Sequence, residues 1–174
     1  MLNSNLKRLI TPNRIVRHVS DVTVESLRER GVRAVVSDLD NTLVAYREDH
    51  AAEEIANWLR LLREAGFGVC LASNTRKLSR LRRIADHYGI LHVPANCGKP
   101  GTKGLRQALQ LLNVPASEAA MVGDQVFTDM VAGNRLGMLT ILVNPLSRQE
   151  FLGTTLISRR LERVVLRGPL RRPE

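Results

Sequence analysis

The sequence predicts an α/β fold, a Rossmann-like doubly wound parallel sheet, and three observations carry that expectation. Five apolar, β-branched runs are spread along the chain at 33–37, 67–72, 90–93, 119–122 and 139–143. Segments with helical periodicity separate most of them, and strand–helix alternation of this kind builds parallel sheets with helices on both faces. Finally, four successive runs are each followed at once by acids, hydroxyls, amides or a lysine, and in such sheets ligand sites lie beyond the carboxyl ends of the strands.

The elements follow in order. RAVVS (33–37) is the first strand, and it stops on Asp38, Asp40 and Asn41, residue types that strands disfavour. The segment 51–65 places Ile55, Leu59 and Leu62 on one stripe, with Trp58 packing beside them, and ends at Gly66, a residue suited to the position after a helix. FGVCLA (67–72) is the second strand, with Cys70 as a small buried hydrophobe. The segment 77–88 repeats the helical stripe with Leu78, Leu81, Ile84 and Ala85, ending at Gly89. ILHV (90–93) follows, then a helix capped by Thr102 and running to about Asn113. AAMV (119–122), a helix over 126–136 ending at Gly137, and LTILV (139–143) complete the alternation. His50, His87 and His92 lack spaced partners and read as surface or packing residues, and Arg135 reads as a helix C-terminal charge satisfying the dipole rather than a substrate contact.

The 174 residues suit one domain, with a core over about 32–143 flanked by a basic N-terminal segment (1–30) and a C-terminal tail (144–174). No apolar run approaches the roughly 18–20 residues needed to cross a bilayer, and the amino terminus lacks the features of a secretory signal, so a cytoplasmic location is expected. Cys70 and Cys97 are far apart, with no CxxC spacing, which argues against a disulfide framework or a zinc knuckle. Lys and Arg number 26 against 17 Asp and Glu, a net charge of +9. Such an excess favours anionic partners: phosphorylated ligands, nucleic acid or an anionic lipid surface. In 154–172, Leu156, Ile157, Leu161, Val164 and Val165 form an apolar stripe among arginines. This basic amphipathic pattern either docks on the sheet or lies on an anionic membrane at the inner face. Aromatic residues are only 3% of the chain, which disfavours stacking on nucleic acid bases.

Carboxylates brought to one point need a cation, and hard oxygen donors without nearby His or Cys select Mg²⁺. Asp38 and Asp124 are the natural ligands, with a backbone carbonyl at Asp40 as a third. Lys99 adds positive charge, with Lys103 as its rival, and the Ser73 hydroxyl with neighbouring N–H groups can hold phosphate oxygens. One Asp can then attack phosphorus while another, two residues away, protonates the leaving alkoxide and later activates water. Asn74 and Gln125 are either supporting groups or turn residues.

The set DLDNT (38–42), ASNT (72–75), Lys99 in GKP and VGDQVFTD (122–129) resembles the haloacid dehalogenase-like (HAD) phosphatases over about Val32 to Val143. DLDNTL, NCGKP and the GDQ…TD…GNRLG segment are similar to the YqeG group of subclass IIIA, itself similar to phosphatidylglycerophosphate phosphatases. The resemblance implies Asp38 as nucleophile and Asp40 as general acid/base. It also implies Ser73, Asn74 and Lys99 around the phosphoryl group and Asp124 as a magnesium ligand, with Thr42, Gln125 and Asp129 in support. The superfamily's cap modules sit in the gaps between motifs, which here are 30 residues (Thr42 to Ser73) and 25 residues (Ser73 to Lys99), each filled by one helix. A capless, open site is therefore expected, suited to a phosphate presented on something large such as lipid. The alternatives are the same chemistry on nucleic-acid or protein phosphates, or a phosphate-binding scaffold without turnover.

Overall fold

A computed structural model describes residues 4–46 and 48–147. Six strands form one sheet: β1 (Arg14–Val16), β2 (Ala34–Ser37), β3 (Gly68–Leu71), β4 (Leu91–His92), β5 (Ala119–Gly123) and β6 (Leu139–Val143). Every pairing is parallel, in the order β1-β6-β5-β2-β3-β4. From β2 the chain winds outward to β3 and β4, then returns to the other side of β2 for β5 and β6. The winding therefore reverses at β2, and the crevice beyond its carboxyl end is where such sheets bind ligands.

Alternate residues of the central strands bury opposite faces. Val35, Val69, Leu71, Ala120, Val122 and Ile141 pack with Ile55, Leu59, Leu62, Leu81 and Ile84, so α3 (Glu53–Glu64) and α4 (Leu78–Tyr88) cover one face. Val36, Cys70, Ala119 and Met121 pack with Leu105, Ala108 and Ala132 on the other, beneath α5 (Lys103–Leu112) and α6 (Val131–Leu136). Trp58 is buried as expected, its indole N–H donating to the Val22 carbonyl at 2.8 Å. One helix fills each gap between motifs, so the sheet edge carries no cap domain over these residues.

Several sequence expectations are corrected. A sixth strand, β1, extends the sheet beside β6, held where Asn13 exchanges hydrogen bonds with Thr140 and where the Asn134 amide donates to the carbonyls of Leu9 and Thr11. It follows α1 (Ser4–Ile10), and a further short helix, α2 (Val24–Arg28), leads into β2. Leu78 lies at the first turn of α4 and is 38% exposed rather than on the buried stripe. Thr102 makes no side-chain capping bond at α5. The helix expected over 126–136 begins as a π-helical turn, Val126–Met130, before α6. Arg135 reaches across to the Pro100 carbonyl at 2.9 Å instead of serving only its own helix end. The basic amphipathic stretch 154–172 lies outside the described residues.

Candidate active site

The loop after β2 turns the acids away from the core. Asp38 still continues the ladder, its N–H donating to the Val122 carbonyl at 3.0 Å, which fixes it at the strand tip. Beyond it the Leu39 carbonyl accepts from the N–H groups of Leu43 and Val44, and these three apolar side chains are buried. Asn41 closes the turn at φ 63°, a left-handed conformation that Asn tolerates better than most residues. Its side-chain oxygen accepts from the Ser147 hydroxyl at 2.6 Å. Asp38 and Asp40 are left facing a cleft of about 950 Å³, shared with Ser73, Asn74, Lys99, Gln125 and Asp129.

Lys99 is the centre of the arrangement. Its side chain is 1% exposed, and its ammonium lies 2.8 Å from Asp38 Oδ1 and 2.7 Å from Asp129 Oδ1. Burial opposes the charge, but Asp129 and Asp38 outweigh it and hold the amine above its ordinary pKa, so it stays protonated. The Lys99 backbone is gripped on both sides by Asn74, whose Nδ2 donates to the Lys99 carbonyl at 2.8 Å and whose Oδ1 accepts from the Lys99 N–H at 2.9 Å. The side chain of Asn74, expected at the phosphate, is thus engaged in positioning the lysine. Lys103 is exposed at the start of α5 and does not line the cleft.

Asp124 and Asp129 come from the loop after β5. Thr42 donates to Asp124 Oδ1 at 3.3 Å, which ties this loop to the one after β2. The π-helical turn brings Asp129 back over the strand end, where its Oδ2 accepts from the Gln125 N–H at 3.1 Å. Gln125 Oε1 in turn accepts from the Thr128 hydroxyl at 3.1 Å. Burial, reinforced by the charges of Asp38 and Asp129, pushes the Asp124 carboxyl up to about 8. Burial also raises Asp129, to about 6, with Lys99 opposing the shift.

These shifts test whether the site suits a divalent cation. Asp38 and Asp129 share one ammonium, and Asp124, buried near both carboxylates, resists ionisation first because of its burial and then because of their charges. The donors are all oxygens, the set that suits Mg²⁺. Among the described residues no group of three or more His, Cys, Asp or Glu side chains forms a metal cage. Asp38 and Asp124 with a backbone carbonyl would offer a smaller set of oxygen donors, and Mg²⁺ keeps several of its waters. The residues fit the ion.

One group was missed by reading the sequence. Arg80, in the first turn of α4, has a side chain only 11% exposed and lies 2.7 Å from Asp40 Oδ1. Its Nε donates to the Glu48 carbonyl at 3.1 Å, its Nη2 donates to the same oxygen, and Asp49 lies 3.4 Å from Nε. Arg83 pairs with Asp49 at 2.8 Å, and both line the cleft.

A doubly wound sheet with paired acids after its switch strand, a buried lysine and an acidic fourth loop defines a hydrolase class, and the pattern of the haloacid dehalogenase-like hydrolases matches residues 16–137. The chain belongs to that family. It is 31% identical over 161 residues to the probable phosphatase YqeG of Bacillus subtilis (strain 168), a match covering 92% of each chain. It is also 31% identical over 180 residues to phosphatidylglycerophosphate phosphatase 1, chloroplastic/mitochondrial, of Arabidopsis thaliana, across 95% of this chain and 50% of that protein. The chloroplastic phosphatidylglycerophosphate phosphatase 1 of Chlamydomonas reinhardtii is 29% identical, across 90% of this chain and 59% of that one. The chain therefore spans little more than half the length of these two plant and algal relatives.

Proposed function

We propose that this phosphatase is a Mg²⁺-dependent phosphomonoester hydrolase working through an aspartyl-phosphate, with phosphatidylglycerophosphate as its substrate. The observation that carries the chemistry is the buried Asp38–Lys99–Asp129 arrangement opening onto the cleft. The substrate assignment draws on the likeness to phosphatidylglycerophosphate phosphatases and on the absence of a cap, which leaves room for a phosphate presented by lipid. Among the described residues no helix is long and apolar enough to cross a membrane, and we place the enzyme in the cytoplasm, reaching lipid peripherally at the inner membrane face.

Lys99 holds Asp38 through Oδ1, leaving Oδ2 to attack phosphorus. As the new Asp38–phosphorus bond forms, the bond from phosphorus to the ester oxygen breaks, and Asp40 gives its proton to the departing alkoxide. Asp40 then removes a proton from water, which attacks the aspartyl-phosphate and releases phosphate and free Asp38. Arg80 occupies only Oδ1 of Asp40, so the second oxygen is available for the proton. Lys99 and the Ser73 hydroxyl hold phosphoryl oxygens, and Asn74, Thr42, Gln125 and Asp129 keep these groups in position. Asp38, Asp124 and the Asp40 carbonyl would hold Mg²⁺, whose charge would let a phosphate dianion approach a carboxylate.

The test is turnover of p-nitrophenyl phosphate and of phosphatidylglycerophosphate in mixed micelles, with and without Mg²⁺. Wild type hydrolyses both with Mg²⁺, and Asp38→Asn lowers kcat by about a thousandfold or more, as loss of a nucleophile does. A preference for soluble sugar phosphates refutes the lipid assignment, and absence of turnover on any phosphomonoester refutes the enzyme.

A further inference from the structure

We propose that Arg76 and Lys77 form a second anion-binding subsite, so that the preferred substrate carries another phosphate beside the one removed. The inference rests on the phosphatase reading above and concerns how the same cleft selects its substrate.

Three cations of the cleft are already committed. Lys99 is paired with Asp38 and Asp129, Arg80 with Asp40, and Arg83 with Asp49. Arg76 and Lys77 also line the cleft, both exposed, and among the described residues neither has an ion pair or a side-chain hydrogen bond. They are adjacent in sequence, and their charges, unlike those of Arg80 and Arg83, meet no carboxylate among the described residues, so an anion can pair with them.

Their position is also fixed relative to the phosphoryl group. They stand three and four residues after Ser73, on the turn from β3 into α4. The Ser73 hydroxyl accepts from the Thr75 N–H at 3.3 Å, and the Thr75 hydroxyl accepts from the Lys77 N–H at 3.1 Å. The Asn96 amide donates to the Asn74 carbonyl at 2.7 Å, tying this turn to the loop that carries Lys99. Two cations with no partner among the described residues therefore sit on a braced turn whose other end holds the Ser73 hydroxyl.

Size points the same way. A phosphoryl group occupies a small part of about 950 Å³, a volume at the upper end of small-molecule sites. The rest of the cleft can seat the neighbouring part of the substrate, and the uncommitted charge there suits a second phosphate. In the proposed lipid this is the inner phosphodiester, separated from the terminal phosphate by one glycerol unit.

The experiment compares kcat/KM on three substrates: p-nitrophenyl phosphate, the deacylated water-soluble head group of phosphatidylglycerophosphate, and the whole lipid in mixed micelles. The readout is the ratio of head group to aryl phosphate, measured for wild type, Arg76→Gln, Lys77→Gln and the double variant. Wild type favours the head group. Each single variant lowers the ratio by about tenfold, the loss of one hydrogen bond to a charged group, and the double variant removes most of the preference. Arg76→Lys keeps part of it. An unchanged ratio in the double variant overturns the inference. So does a preference seen only with the acylated lipid, because it then arises from the micelle surface. Absence of turnover by wild type on all three overturns the phosphatase reading, and the inference with it.

Discussion

Lys99 is compensated rather than merely buried, and that decides what its removal does. Asp38 and Asp129 both lean on its ammonium, and Lys99→Met leaves two neighbouring carboxylates without a counter-charge in a site where the side chain was 1% exposed. Breaking a buried pair in this way costs about 3–5 kcal/mol, so urea unfolding in the presence of chelator should show that loss, together with loss of phosphatase activity. Asn74→Ala removes both hydrogen bonds that grip the lysine backbone, and a loss of about 1–3 kcal/mol is expected by the same measurement, with a lower kcat. That the loops bearing Asp38, Asp40 and Lys99 meet in one cleft was legible, because parallel strands end together at one sheet edge and a core strand gains nothing by stopping abruptly on acids. Arg80 was not. It follows Ser79 on what reads as the solvated side of a helix, and only the Glu48–Asp49 turn folding over it makes it a buried partner of Asp40.

The π-helical turn shows how an element, rather than a residue type, places a functional group. It curls Asp129 back so closely over the end of β5 that a Cβ on Gly123 would stand 2.2 Å from Asp129 Oδ2 and 2.4 Å from its Cγ. Gly123→Ala must displace Asp129 from both Lys99 and the Gln125 N–H. We expect about 1–3 kcal/mol of destabilisation, the usual range for overpacking, and a fall in kcat. Gly31→Ala is the contrast. Its φ of +70° strains an alanine by about 1 kcal/mol, but nothing lies within 4 Å, so stability should drop and activity should not. Measured together by thermal melting and aryl phosphate turnover, the pair separates damage to the site from damage to the fold. The central strands were legible because Val35 and Val36, or Cys70 and Leu71, bury opposite faces and leave continuous apolar runs. β1 was hidden because its Arg14–Val16 pairing is three residues long, at the sheet edge, inside a segment whose arginines dominate its pattern. The distinction between a π-helical turn and an α-helix at 126–130 depends on where the Asp129 carboxyl is drawn, a tertiary contact that periodicity does not record.

At the scale of the whole molecule, a chain of net charge +9 nonetheless buries Asp124 near two other carboxylates, and this makes its stability depend on pH in a particular direction. Burial, with Asp38 and Asp129 adding to it, lifts the Asp124 carboxyl to about 8, whereas in an unfolded chain it titrates near the usual value of about 4. The folded state therefore binds this proton more tightly than the unfolded state does. The contribution to stability is complete below the unfolded value and is lost as pH rises through about 8. Without metal, wild type should lose melting temperature progressively between about pH 4 and 8 relative to Asp124→Asn, which carries no titrating group there. A cation at the site requires the ionised carboxylate, so Mg²⁺ should raise the melting temperature of wild type more at pH 8.5 than at pH 6, with proton release on binding at the lower pH. Asp124→Asn should lose most of that Mg²⁺ response. Parallel pH profiles for the two proteins in chelator, or a Mg²⁺ shift that shrinks as pH rises, would show that Asp124 is not the titrating group and that the cation enters elsewhere.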